Sequence, residues 1–251
     1  RFSADASITS ALPAAGHMAR HYIAFDIETA KIIEGPVGDL KSHRPLGITC
    51  AATLSSNDEE PRTWHGKRDD GTPAPQMSPE EVSELVRFLV EATSNGATIL
   101  TWNGLGFDFD ILAEESGMVD ECKQLARDHV DMMFHVFCQL GYPIGLSKAA
   151  EGMGVPGKSS SEAQKLAPDM WAAGKYDEIL EYVAQDVRAT LAVGQACEER
   201  GEICWITRKG YPSCKPLADG WLTVTGALEL PEPDTSWMDT PMLRTRFTDW
   251  L

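Results

Sequence analysis

Three short segments place carboxylates where a folding core has no use for them. The first is Asp26-Ile27-Glu28, at the end of the apolar run Tyr22-Ile23-Ala24-Phe25. Side chains alternate along a strand, so Asp26 and Glu28 project together from one face. Such a pair is either a solvated strand end or a reactive pair at the carboxyl end of a buried strand, where open α/β sheets place their sites. The second segment is Asn103-Gly104-Leu105-Gly106-Phe107-Asp108, just past another buried run. Its glycines let the backbone turn sharply beside a ligand. Asp108 falls in the first turn of the next helix, as a cap or as a functional acid. Asp110 competes with it, but two residues on a helix lie about 200° apart and cannot serve one site. The third segment is Tyr182-Val183-Ala184-Gln185-Asp186. Positions i and i+4 share a helix face, so the phenol and the carboxylate reach one point. Val183 and Val187 flank Asp186, so that acid is partly buried and needs a partner: Arg188, a backbone donor or a cation.

The elements that must position these acids alternate between strand and helix. Tyr22–Ile27 reads as a buried strand, Gly47–Leu54 as a second, Arg62–His65 as a third and Ala97–Trp102 as a fourth. Ser78-Pro79-Glu80-Glu81 opens a helix with an N-cap, a proline at the first position and a capping-box Glu. Asn95-Gly96 ends it. Helical patterns follow at Phe107 to about Ser116, His129–Leu140, Leu146–Met153 and Tyr176–Glu199, the last stopped by Gly201. The layout predicts an α/β domain over residues 19–200. Residues 201–251 form a Trp- and Pro-rich extension with two β-like runs, Trp205–Thr207 and Trp221–Thr225. Residues 1–18, which end in Gly16-His17-Met18, read as an expression leader.

Composition limits the function. Lys and Arg number 22 against 38 for Asp and Glu, a net charge of −16. An isoelectric point near 4.7 excludes a generic polyanion binder held by bulk charge. A nucleic-acid ligand would have to be held locally, by bound cations or a small basic surface. No run reaches the roughly 18 apolar residues of a membrane span. The six cysteines at 50, 122, 138, 197, 204 and 214 show no C-x-x-C and no zinc spacing. They read as buried or free thiols in a reducing, cytoplasmic compartment.

Taken in order, Phe25-Asp26-Ile27-Glu28-Thr29, Asn103-x-x-x-Phe107-Asp108 and Tyr182-x-x-x-Asp186 resemble the three motifs of the DEDD superfamily of 3′–5′ exonucleases. Tyr182, in place of a histidine, makes them similar to the branch with polymerase proofreading domains and ribonuclease D. The likeness is greatest to stand-alone relatives of the family-B polymerase proofreading domain, in which a Gly-Lys such as Gly157-Lys158 also precedes the final helix. It covers about residues 21–197.

The resemblance implies a ribonuclease H-like fold, a mixed β-sheet flanked by helices. It also implies that Asp26, Glu28, Asp108 and Asp186 bind metal and that Tyr182 orients the attacking water. Four oxygen donors suit two Mg²⁺ or Mn²⁺ ions, which activate water on one side and stabilise the leaving 3′ oxygen on the other. Thr29 would donate to the terminal nucleotide, as the same position does in relatives. Asn103 is a candidate for holding the strand or the loop, Leu105 or Phe107 for wedging terminal bases, and Lys158 and Lys165 for meeting phosphate.

The implied activity is metal-dependent removal of nucleotides from a single-stranded 3′ end, DNA favoured over RNA, with any proofreading performed in trans. The alternatives are the same chemistry on short oligoribonucleotides and an inactive binding or scaffold module. In the extension, Trp205, Tyr211, Trp221, Trp237 and Trp250 lie among Arg208, Lys209, Lys215, Arg244 and Arg246. The aromatic side chains are expected to fold back so that the extension packs on the core; the alternative is a stacking platform for single strands.

Overall fold

Strand β1 (Tyr22–Thr29) is buried on both faces for most of its length. Tyr22 and Ala24 enter one apolar cluster and Ile23, Phe25 and Ile27 another, as period-two alternation requires. In the computed structural model, residues 20–34, 40–157 and 161–251 are described, with their side chains except those of 161–166. The expected leader and Lys158 lie outside the described residues, as does the side chain of Lys165.

Strand β1 pairs antiparallel with β2 (Ile48–Ser55), and β2 antiparallel with β3 (Arg62–His65). A reciprocal capping box then starts α1 (Pro79–Ser94): the Ser78 hydroxyl accepts from the Glu81 N–H, and the Glu81 carboxylate from the Ser78 N–H. Helix α1 carries the chain across to β4 (Thr98–Thr101), parallel to β1. Helices α2 (Asp108–Ser116) and α3 (Val119–Asp128) lead to β5 (Val130–Asp131), parallel to β4. Among the described residues this is one mixed sheet of five strands in the order β3-β2-β1-β4-β5, with β1 at its centre.

Helices α4 (Met132–Leu140), α5 (Leu146–Met153), α6 (Ser161–Ala172) and α7 (Tyr176–Arg200) follow. The chain continues through a hairpin of β6 (Glu202–Ile206) and β7 (Pro212–Pro216), then α8 (Val224–Leu228) and α9 (Thr245–Thr248). On one face of the sheet, Val183 and Val187 of α7 pack with Tyr22, Ala24, Cys50, Ala52 and Leu54. On the other, Leu85, Leu89, Phe109 and Phe134 of α1, α2 and α4 pack with Ile23, Phe25 and Ile27. The architecture is the mixed sheet flanked by helices that the family resemblance implied. Asp26 and Glu28 continue the Tyr22–Ala24 row, so they face α7.

Several expectations are corrected. Residues 129–140 are not one helix, because Val130 and Asp131 pair with Leu100 and Thr101 as a sheet edge. Asp131 then caps α4 by accepting from the Phe134 N–H. Trp221–Thr225 is not a strand: the Thr223 hydroxyl accepts from the Gly226 N–H and starts α8. Helices α3 and α6 had no counterpart in the sequence reading. Two cysteines are not thiols, since Cys204 and Cys214 sit directly opposite each other in the β6–β7 hairpin and are joined as a disulfide. Cys50, Cys122, Cys138 and Cys197 are free and buried.

The aromatic side chains of the extension divide. Trp205 and Trp221 are buried, and the Trp221 indole donates to the carbonyl of Gly194 in α7 at 3.1 Å. Trp250 is half-buried, whereas Tyr211 and Trp237 are exposed. The Arg244 guanidinium is occupied by the carbonyls of Leu228, Cys138 and Pro231. No helix among the described residues is long and apolar enough to cross a membrane.

Candidate metal centre

The carboxyl end of β1 is shaped by an irregularity in its pairing with β2. Glu28 opposes Cys50 but Thr29 opposes Ile48, which leaves Thr49 as an extra residue. The Thr49 hydroxyl donates to the Glu28 carbonyl at 3.0 Å. A bulge of this kind re-aims the neighbouring side chains. On the facing helix, Val183 and Val187 anchor α7 in the core and turn Asp186 toward β1. One carboxylate oxygen from each of Asp26, Glu28 and Asp186 lies within 4.8 Å of the other two. Glu28 is 6% exposed and Asp186 only 1%. Arg188, the sequence-level candidate to neutralise Asp186, bridges Glu181 and Glu60 instead.

These acids also mark their surroundings. Burial, then the charge of Glu28, pushes the Cys50 thiol far above its ordinary range, with Asp26 adding to it. Three carboxylates at this spacing repel one another unless a cation or a proton lies between them. The donors are all oxygen and two of the three are withdrawn from water, so the residues fit a hard divalent cation. Among the described residues one other acid–thiol trio is close enough to hold a metal, Glu202, Cys204 and Cys214, but its two sulfurs are bonded to each other.

Asp108 approaches along the edge of β1 that β4 leaves unpaired. Parallel pairing with β4 ends at Ala24 and Leu100. Beyond that point Asp108 Oδ1 accepts from the Ile27 N–H at 3.2 Å. Asp108 therefore stands against the peptide between Asp26 and Glu28, although it is outside the 4.8 Å trio. It is not a helix cap, because the cap position is Phe107 and has no side-chain hydrogen bond. Asp110 is separated from the site as its helical angle requires: it pairs with Lys41 at 2.6 Å and with Arg44. Tyr182 is buried one turn before Asp186 on α7.

The loop that delivers Asp108 depends on a residue that the sequence reading missed. Asn103 adopts φ 78°, a left-handed conformation that Asn tolerates better than most residues. A Cβ at Gly104 would lie 2.5 Å from Thr101 Oγ1. The buried carboxylate of Asp131 holds this turn from beneath, accepting from the N–H groups of Asn103 at 3.0 Å and Leu105 at 2.9 Å. Burial pushes Asp131 up to about 6, against the opposing pull of the Phe134, Leu105 and Asn103 N–H groups. Its available signal was an Asp ahead of the run Met132-Met133-Phe134, an N-cap pattern.

The expected substrate contacts are placed unequally. Thr29 is half-exposed at the bulge, and a cavity of about 250 Å³ opens beside it, lined by Ala30, Lys31, Pro45, Leu46, Gly47, Gln76 and Glu115. Asn103 and Phe107 are half-exposed in the loop. Leu105 is fully buried among core side chains, which takes it out of the expected wedge position.

A family model described as RNase_H superfamily matches residues 64–197, more than half of the chain. The chain belongs to the RNase_H superfamily. That match carries Asp108, Tyr182 and Asp186, while Asp26 and Glu28 lie ahead of it on β1. A protein of known structure to which this chain is similar in fold is the family B DNA polymerase from the hyperthermophilic archaeon Pyrobaculum calidifontis. The two share 18% identity at a TM-score of 0.50, over 71% of this chain and 24% of the polymerase. The matched region is thus about a quarter of that polymerase's length. No curated protein matches the chain.

Proposed function

We propose that this RNase_H superfamily chain is a divalent-metal-dependent 3′–5′ exonuclease acting on a single-stranded nucleic-acid end, with DNA favoured. The observation that carries the reading is the convergence of Asp26, Glu28 and Asp186 within 4.8 Å, with Asp108 bonded to the peptide between the first two. Superfamily membership suggests a nuclease. The order of the motifs and Tyr182 in the helix of Asp186 support the 3′–5′ direction and the Tyr branch.

Asp26, Glu28, Asp108 and Asp186 would hold Mg²⁺ or Mn²⁺. Divalent ions there supply positive charge beside the scissile phosphate and lower the pKa of water. The chain's own residues do the remaining work. Glu28 and Asp186 keep the acid set fixed by being packed into the core. The Tyr182 hydroxyl, on the same helix face as Asp186, orients the attacking water. Thr29 and Asn103 offer hydrogen bonds to the terminal nucleotide, and Phe107 offers an apolar surface to its base. Because local cations carry the positive charge, a chain of net charge −16 can still act on a polyanion.

The test is a 5′-labelled single strand incubated with Mg²⁺, with Mn²⁺ or with chelator. Stepwise shortening from the 3′ end is expected only with metal, and it should disappear in Asp26→Ala and Asp186→Ala. Undiminished cleavage by Asp186→Ala would refute the site. DNA and RNA strands of one sequence, compared directly, test the preference for sugar.

A further inference from the structure

The loop between β4 and α2 is gripped from outside as well as from beneath. The peptide of Leu105 has its N–H bound by Asp131, and its carbonyl accepts the indole N–H of Trp250 at 2.8 Å. Next to it, a Cβ at Gly106 would lie 2.8 Å from the ring of Phe247. Phe247 is buried against Phe137, with ring centroids 4.8 Å apart, and against Phe134 at 5.5 Å. Both of those rings belong to α4, the helix that Asp131 caps. A turn with a left-handed Asn103 and two closely packed glycines is thus clamped on both sides, three residues before Asp108.

We propose that Trp250 and Phe247, from the extension beyond α7, are positioning residues for the candidate site. They fix the loop so that Asp108 stays against Ile27. This inference rests on the nuclease reading and makes residues 244–251 part of the active architecture. A buried backbone carbonyl without a partner would pull the loop toward another arrangement. Displacement of a reacting group by about 1 Å can lower a rate by about a hundredfold.

Trp250→Phe keeps an aromatic ring and removes the N–H. Trp221→Phe is the matched control, since it also removes an indole N–H bound to a backbone carbonyl, that of Gly194, far along α7 from Asp186. Each variant should lower the unfolding midpoint by a few degrees, as the loss of one hydrogen bond does. Well below the midpoint, Trp250→Phe should lose kcat about tenfold with KM nearly unchanged and should need more Mn²⁺ for half-maximal rate. Trp221→Phe should keep its kcat. A wild-type kcat in Trp250→Phe overturns the positioning role and leaves the nuclease reading standing. If the wild type shows no metal-dependent cleavage, the nuclease reading fails, and amide exchange then judges the clamp. Faster exchange at Leu105 to Phe109 in Trp250→Phe supports it, and unchanged exchange overturns it.

Discussion

Asp108 Oδ1 accepts the backbone N–H of Ile27 at 3.2 Å, which ties the first turn of α2 to the strand between its two acids. The carboxylate thus has a structural task as well as its expected place beside the metal. The two tasks are separable. Asp108→Asn retains an oxygen acceptor for Ile27 but loses the charge, so its unfolding midpoint should stay near wild type. Cleavage should fall by about a hundredfold or more. Asp108→Ala should lose both. Thermal unfolding beside a rate assay distinguishes the two variants.

Crowding of Asp26, Glu28 and Asp186 has a signature that needs no substrate. A divalent ion that binds only the folded chain stabilises it by about 2.7 kcal/mol at a hundred times its Kd. For a domain of this size that is a rise of about 5–10 °C in the midpoint. Mg²⁺ or Mn²⁺ titrated into the wild type should produce this shift. Asp186→Asn should abolish it while being at least as stable as wild type in chelator, because one repelling charge is gone.

Acid should unfold the protein through its histidines. Burial holds His129 down at about 3 and His135 at about 4. With folded values below the ordinary 6.5, their stabilisation is complete above that pH and is lost as the pH falls toward 4. Asp131 works in the other direction. Its folded value of about 6 lies above the ordinary 3.8, so its contribution is complete at low pH and lost as the pH rises through 6. Between pH 6 and 4, two histidines against one Asp leave a net loss of stability on the order of 1 kcal/mol per unit of acidification. Urea midpoints at pH 7.5, 6 and 5 should decline accordingly, and His135→Gln should flatten the decline.

Thiol reactivity should be silent in the native, oxidised protein. Burial pushes Cys122, Cys138 and Cys197 up to about 12 and Cys50 higher still, and Cys204–Cys214 is closed. A thiol reagent should label nothing quickly. After mild reduction Cys214, exposed on β7, should react first. The two cysteines are 10 residues apart, and closing so short a loop contributes about 3 kcal/mol at most, so reduction should lower the midpoint while cleavage survives.

Elements with strong local grammar were legible in the sequence. The capping box of Ser78 and Glu81, the αL stop at Gly201 and the alternation along Tyr22–Thr29 each depend on near neighbours. The pairing of Asp26 with Glu28 is of the same kind. What escaped depends on distant partners. Strand β5 is two residues long and is a strand only because β4 lies beside it. Asp131 looks like an acid inside an apolar helix until the loop from Asn103 to Leu105 is seen folded over it. The cysteines at 204 and 214 acquire meaning only when a hairpin sets them face to face. Leu105 reads with Phe107 as a wedge for terminal bases, yet its side chain lies in the core, a fact set by distant packing partners.

The chain order of the acids has a consequence during synthesis. Asp26 and Glu28 leave the ribosome on β1, and Asp186 follows on α7 some 160 residues later. A nascent or truncated polypeptide that stops short of α7 lacks Asp186, so its Asp26 and Glu28 carboxylates are without the third member of the candidate cation site.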